Sequence, residues 1–442
     1  MNRLEDHPTV VANKAKNNPS PPVSIDALEL HRLCLEAGAA DVGFVGLNRP
    51  EMDNERSDIL RIFPATRSLI CIVCRMNPES VRSPARIMAN HEFHATGDEV
   101  NDVARRIVAR LSELGIRALN PPMAFPMEMD KFPGKMWSIS LKPLAVAAGL
   151  GHMGLHRNVI HPKFGNFILL GTVLIDVAVS EESAPIDYNP CLTCKLCVAA
   201  CPVGAISPDG EFNFSSCYTH NYREFMSGFT DWVEVIAGSP NPVRYRDKVS
   251  DSESASMWQS LAFGPNYKAA YCLSACPAGE DVISPFLQDR SGFISEVVKP
   301  LQQKEETIYV QPRSDAEAYV RKRFPHKHVK QVGAVLRPVS IPGFIKLMRH
   351  GFQPGRSKGL SARYHFRFTG QQPAECTVTI CDQKIKVEDG LQGDCDIRIT
   401  ASSRGWLRLL RKEASIGWLL MTMQVRIWGN PKLLAAFGNC FP

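Results

Sequence analysis

The apolar positions change period several times along the chain. From Ser24 the pattern is helical: Leu28, Leu30, Leu33 and Leu35 are mixed with polar residues, and Gly38 closes the run. Residues 41–46 (DVGFVG) predict a strand and 68–74 (SLICIVC) a buried one. Residues 99–114 place Val100, Val103, Ile107, Val108 and Leu111 at helical spacing, and 168–179 (ILLGTVLIDVAV) are β-rich again. Helices alternating with apolar strands predict a layered α/β domain over about 24–185. The polar, proline-containing residues 1–23 are expected to form a disordered leader.

Periodicity then fades. Residues 186–290 are punctuated by Cys, Pro and Gly, with few long periodic segments, a texture that suits a segment held by metal in place of a large core. Residues 291–335 read as a helical, charged connector. From Arg363 short strands return, YHFRFTG, CTVTICD, QKIKVEDG and CDIRITAS, separated by turn residues. Helices over 403–411 and 416–423, a strand VRIWG and a last helix over 431–437 complete a separate small α/β domain of about 336–442.

Composition narrows the class. A chain of 442 residues exceeds one ordinary core and predicts two to three domains. With 44% hydrophobic and 22% charged residues it has a soluble balance, and no apolar run reaches the roughly 18 residues of a membrane span. The start shows neither an apolar export segment nor a twin-arginine signal, so a cytoplasmic location is expected. The net charge of +6 comes without a basic block, and no nucleic-acid partner is expected. Fourteen cysteines in a reducing compartment are expected to be thiols or metal ligands.

Seven of them lie between Cys191 and Cys276. Cys191-x2-Cys194-x2-Cys197-x3-Cys201-Pro202 has the spacing of bacterial ferredoxins, in which three close thiolates wrap one cubane and the fourth reaches a second. Cys272-x3-Cys276-Pro277 repeats the tail. The expected sharing puts Cys191, Cys194, Cys197 and Cys276 on the first cluster, with Cys201 and Cys272 on the second. Structural zinc, which uses four ligands in separated pairs, does not explain this spacing. A complete second motif would carry a cysteine at 269, where the chain has Ala269. Cys217 is the candidate third ligand, against a reading as a buried free thiol. His220, an external ligand or a three-iron cluster are the alternatives for the remaining corner. Cys71 and Cys74 sit three apart on a strand, hence on opposite faces, and read as core.

Residues 131–175 contain no Asp or Glu but five Lys or Arg and three His. Within them AAGLGHMG (147–154) offers Gly149, Gly151 and Gly154 as positions where backbone N–H groups approach an anionic or phosphate-bearing cofactor. The spacing is not that of a dinucleotide fingerprint. A tight helix-to-loop turn packed on the sheet is the competing reading. His152, His156 and His161 are a weak metal motif.

AGLGHMG, HPKFGNFILLGTVLID (161–176), CLTCKLCVAACPVGAI (191–206), Cys217 and CLSACP, in this order, resemble the superfamily of epoxyqueuosine reductases and reductive dehalogenases over about 24–290. The resemblance implies an α/β domain of nitroreductase-like fold that binds cobalamin and a ferredoxin-like two-cluster part that feeds it electrons. Two departures matter. The stretch where epoxyqueuosine reductases carry a catalytic Asp reads KFPGKMWSIS, without an acid after Asp130, and position 269 is alanine. FRFTG (366–370), CDIRITASSRGWLRLL (395–410) and VRIWGNPKLL (425–434) resemble the sterol carrier protein domain, which implies an apolar tunnel for lipid or acyl groups. Trp406, Leu409, Leu410, Trp418, Leu419 and Met423 would line such a tunnel or fill a core, and a dimerisation module is the alternative.

Together these readings predict a reductase that passes electrons through two iron–sulfur clusters (4Fe-4S, the second with an incomplete ligand set) to a cofactor or substrate in the α/β domain. The catalytic residues stay unassigned. The expected partners are an electron donor such as a ferredoxin or flavodoxin and an apolar or acyl small molecule. The alternative is a non-catalytic electron-transfer or cofactor-handling protein with a C-terminal lipid-binding or docking module.

Overall fold

The computed structural model describes residues 4–15, 22–123, 137–191, 193–226, 228–268, 271–333 and 338–441. Its first unit is built on a four-stranded antiparallel sheet. Ser68–Arg75 lies between Asp41–Gly46 and Ile168–Ile175, and Ala118–Leu119 pairs with the far edge of the latter. Strand 68–75 is apolar from Leu69 to Cys74 because both faces are covered there. Helices Ala27–Glu36 and Arg86–Glu113 cover one face through Leu30, Val103, Ile107 and Leu111. Arg56–Ile62 and Leu141–Ala147 cover the other through Ile59, Leu144 and Ala145. Cys71 packs in the second of these cores and Cys74 in the first, as strand alternation requires.

The long helix begins at Arg86, more than three turns before the periodic residues 99–114. Its early turns are held by residues distant in sequence. Phe93 stacks on Tyr267 with centroids 4.7 Å apart, and the His94 ring nitrogen Nε2 lies 2.7 Å from the Pro265 carbonyl. Further towards the N-terminus, Pro8–Ala15 forms a helix with no buried residue.

The cysteine-rich segment contains more helix than its texture predicts, including Phe214–Asn221, Gly228–Ala237 and Asp251–Phe263. The expected connector is not only helical. Thr307–Val310 and His328–Gln331 form a parallel pair around helix Asp315–Arg323. Their Ile308, Val310, Ala316, Val320 and Phe324 pack directly on Cys197, Cys201 and Ile206. Strands of four residues are too short for periodicity to reveal them.

The C-terminal unit follows its sequence pattern closely. Its five strands run in the order Lys384–Asp389, Ala374–Cys381, Ala362–Thr369, Ile397–Ser402, Val425–Gly429, with one parallel pair at the centre. Ile341–Gly351, Ser403–Leu410, Ile416–Met421 and Pro431–Asn439 supply its helices. Trp406 and Leu419 are buried among Phe344, Phe366 and Phe368, with Leu409 and Leu410 half-buried at the edge. Trp418 and Met423 are exposed, so the six expected tunnel residues do not line one channel. The Trp406 indole N–H is buried in this apolar core with no hydrogen-bond acceptor. Among the described residues no helix is long and apolar enough to cross a membrane.

Candidate iron–sulfur site

Two five-residue helices, Leu196–Ala200 and Tyr271–Ala275, pack against each other. Each carries a cysteine near its start, Cys197 or Cys272, and ends at a second, Cys201 or Cys276, followed by proline. Proline cannot continue a helix, so the chain turns away at the same point in both halves. A glycine with positive φ follows two residues after each proline: Gly204 at +62° and Gly279 at +120°. At Gly204 this turn aims the N–H groups of residues 203–206 at Cys201 Sγ, with Ala205 N 3.3 Å away. Cys276 Sγ receives the N–H of Ala278, and Cys191 Sγ that of Leu155.

Electrostatic contacts group the seven thiols without separating them fully. Cys191, Cys194 and Cys276 act on one another, and Cys197 feels Cys272 ahead of Cys276, Cys194 and Cys191. Cys217 interacts with Cys201 and Cys272, and Cys272 with Cys201. Cys272 also feels Cys276, so the two sets adjoin. Each set contains one cysteine from the other motif. Burial pushes the Cys272 and Cys276 thiols up to about 12, and raises Cys197, Cys201, Cys217 and Cys191 as well. Thiolates at these positions therefore require a positive partner, which iron supplies, and the N–H groups on the sulfurs suit an all-thiolate donor set. Among the described residues no three His, Cys, Asp or Glu side chains are gathered as a chelate for one metal ion.

The histidines occupy separate places. His220 accepts the Tyr309 N–H on Nδ1 at 3.3 Å, and burial pushes it down to about 4, so it is neutral with its proton on Nε2. Its Nε2 is buried without a partner, and a protonated nitrogen does not ligate iron. The charged groups that act on His220 are Glu306, Lys268, Lys327 and Arg223, not thiols. His156 accepts the Asn158 N–H at 3.1 Å and is pushed down to about 3 by burial and by Lys142. His161 Nε2 lies 2.7 Å from Asp41 Oδ2. His152, His156 and His161 do not converge on one ion. Position 269, and residues 124–136, which include Asp130 and the first part of KFPGKMWSIS, lie outside the described residues.

The glycine segment answers to packing. Added Cβ atoms would meet Ala184 O at 2.5 Å from Gly149, Ile160 O at 2.4 Å from Gly151, and Ile160 Cδ1 at 2.7 Å from Gly154. Gly149 N–H donates to Val146 O and Gly154 N–H to Asn158 O, so neither is directed at a ligand. Close packing accounts for the glycines: Gly149 and Gly151 lie against backbone carbonyls, and Gly154 against the Ile160 and His156 side chains. Sequence reasoning also passed over Lys142. Its Nζ donates to Arg157 O at 2.7 Å and Asn158 Oδ1 at 2.8 Å, and its charge acts on Cys272 and Cys217. An isolated lysine in LKPLAV carries no motif that would have marked it.

Cysteines of two Cys-Pro motifs brought together in this way have the arrangement of an iron–sulfur segment. Comparison with known proteins agrees. Part of the chain is similar to epoxyqueuosine reductases, and the chain carries matches to a 4Fe-4S segment and a C-terminal SCP-2 domain. The model of the 4Fe-4S binding domain matches residues 184–207, and that of the SCP-2 sterol transfer family matches residues 346–442. Epoxyqueuosine reductase of Gloeobacter violaceus is 27% identical over 199 residues, covering 45% of this chain and 60% of that one. The Staphylococcus aureus enzyme is 33% identical over 161 residues, covering 35% and 40%. The chain thus spans at most about three fifths of these relatives. Among solved structures, epoxyqueuosine reductase from Streptococcus thermophilus covers 62% of this chain and 75% of its own at 15% identity, with a TM-score of 0.36. Sterol carrier protein 2 from Yarrowia lipolytica covers 22% and 89% at 18% identity, with a TM-score of 0.20.

Proposed function

We propose that this protein is a reductase holding two 4Fe-4S clusters, the first on Cys191, Cys194, Cys197 and Cys276, the second on Cys201, Cys217 and Cys272. The observation that carries this reading is the packing of the two Cys-Pro helices against each other, which brings the seven thiols of both motifs within electrostatic reach of one another. Bound clusters supply one-electron storage and transfer. The chain's own residues hold the thiolates, direct N–H groups at the sulfurs and exclude water. Lys142 places a buried cation between the second set and the glycine segment, where an electron acceptor in the α/β domain would lie. The SCP-2 domain would bring an apolar or acyl molecule, and a ferredoxin or flavodoxin would supply electrons.

Cobalamin is the acceptor that kinship suggests. The engaged N–H groups of Gly149 and Gly154 do not form a cradle for it, so no step is derived through it. That same engagement favours the second reading, a non-catalytic electron-transfer protein with a lipid-binding or docking domain. Anaerobic purification with metal analysis and optical titration with cobalamin tests both. About eight irons per chain support the two-cluster reading. One zinc and no iron removes it. Stoichiometric corrinoid binding favours the reductase, and its absence in both redox states favours the carrier.

A further inference from the structure

A half-buried guanidinium with two buried, unaccepted nitrogens stands beside the first thiol set. Arg82 ends the short helix Pro78–Arg82, which packs on Tyr271–Ala275, the helix leading into Cys276. Its guanidinium lies 4.9 Å from the Phe167 ring centroid and 5.2 Å from that of Phe293. Phe293 in turn packs with Leu196, Ala275 and Cys194. Arg82 Nε and Nη2 are buried and have no hydrogen-bond acceptor among the described residues. The charges acting on Arg82 are Glu79, three residues earlier on its own helix, and then Cys276. Its neighbour Arg86 is spent differently, with Nη1 donating to Val81 O, Ser83 O and Ser274 Oγ, which ties the two helices together.

Burying two guanidinium nitrogens without an acceptor is costly, and two aromatic faces offset only about 0.5–2 kcal/mol each. A cubane on four thiolates is an anion whose negative charge grows on reduction, and its sulfurs accept hydrogen bonds. Both net charge and such hydrogen bonds set its potential. Resting on the two-cluster reading above, we infer that Arg82 is a positioning residue that raises the reduction potential of the first cluster. It does so by charge compensation and N–H donation on the Cys276 side. The second cluster has its own cation in Lys142. The two potentials are thus set by different side chains, and the step between them can be tuned without touching a ligand.

Anaerobic redox titration followed by electron paramagnetic resonance tests this on Arg82→Gln and Arg82→Lys, with Cys217→Ala used to assign the second centre. Arg82→Gln should make reduction of the first cluster at least tenfold less favourable, about 59 mV for one electron. The second cluster should move less, and Arg82→Lys should stay nearer the wild type. An unmoved or raised first potential, or equal shifts of both clusters, overturns the inference while leaving the two-cluster reading intact. Absence of iron overturns that reading instead. Should Arg82→Gln not fold, wild-type protein labelled with 15N-arginine decides. The reduced first cluster should show a nitrogen coupling that Arg82→Lys removes, and its absence in the wild type refutes the proposal.

Discussion

At position 269 the side chain is a methyl group where a complete ferredoxin motif would place a thiolate. His220, three residues beyond Cys217, offers no replacement, because its Nδ1 already accepts the Tyr309 N–H and its Nε2 keeps the proton. A cubane on Cys201, Cys217 and Cys272 therefore has one iron without a protein thiolate, and brief oxidation should release it. Electron paramagnetic resonance should then show an oxidised three-iron species beside an intact cubane, and Ala269→Cys should suppress it. An unchanged spectrum in that variant would mean another ligand holds the corner. His220 has a second consequence. Its folded value of about 4 lies below the ordinary value of about 6.5, so the unfolded chain takes up the proton first as pH falls. The stability it contributes is present above about 6.5 and is lost as pH falls towards 4, by up to ~3 kcal/mol. Denaturant melts from pH 7 to 4 should show a shallower decline in His220→Gln, and parallel slopes would contradict this.

Among the elements, the turn after each Cys-Pro is the most constrained. Gly204 combines a φ of +62° with a missing Cβ that would lie 2.6 Å from the Tyr319 ring. Gly204→Ala should cost about 1–3 kcal/mol and lower iron content, since the N–H groups on Cys201 are placed by this turn. Gly417, exposed within Ile416–Met421 with nothing near its Cβ position, should instead gain about 0.5–1 kcal/mol on conversion to alanine. Chemical denaturation of the two variants separates these signs. The same contrast marks what the residues disclose by themselves. The spacing of Cys191 to Cys201 and of Cys272 to Cys276 is local chemistry, and strands such as 362–369 alternate visibly, so both were legible. The packing around Gly149, Gly151 and Gly154 was not legible, because their neighbours, Ala184 and Ile160, are brought there only by the fold. The parallel pair 307–310 and 328–331 escaped for a similar reason. Its short strands gain their meaning from packing on Cys197 and Cys201.

At the scale of the whole molecule the C-terminal unit docks on the helix that carries Cys217. The Phe214 and His350 rings lie 4.8 Å apart, and the fully buried Gln353 accepts from Asn213 Nδ2 at 3.4 Å and from the Asp315 N–H at 3.2 Å. Asn213 also caps that helix, its side chain accepting the Ser216 N–H. The SCP-2 domain is thus joined to the second thiol set through one side chain and one helix cap. The arrangement as a whole rests on ligands exchanged between the two motifs. The most direct test is the electron paramagnetic resonance of anaerobically prepared Cys276→Ala. The account predicts that this variant damages the same centre as Cys194→Ala, although the two residues lie in different motifs, and leaves the centre altered by Cys272→Ala intact. Damage shared instead with Cys272→Ala, with the Cys194 centre unchanged, would contradict it.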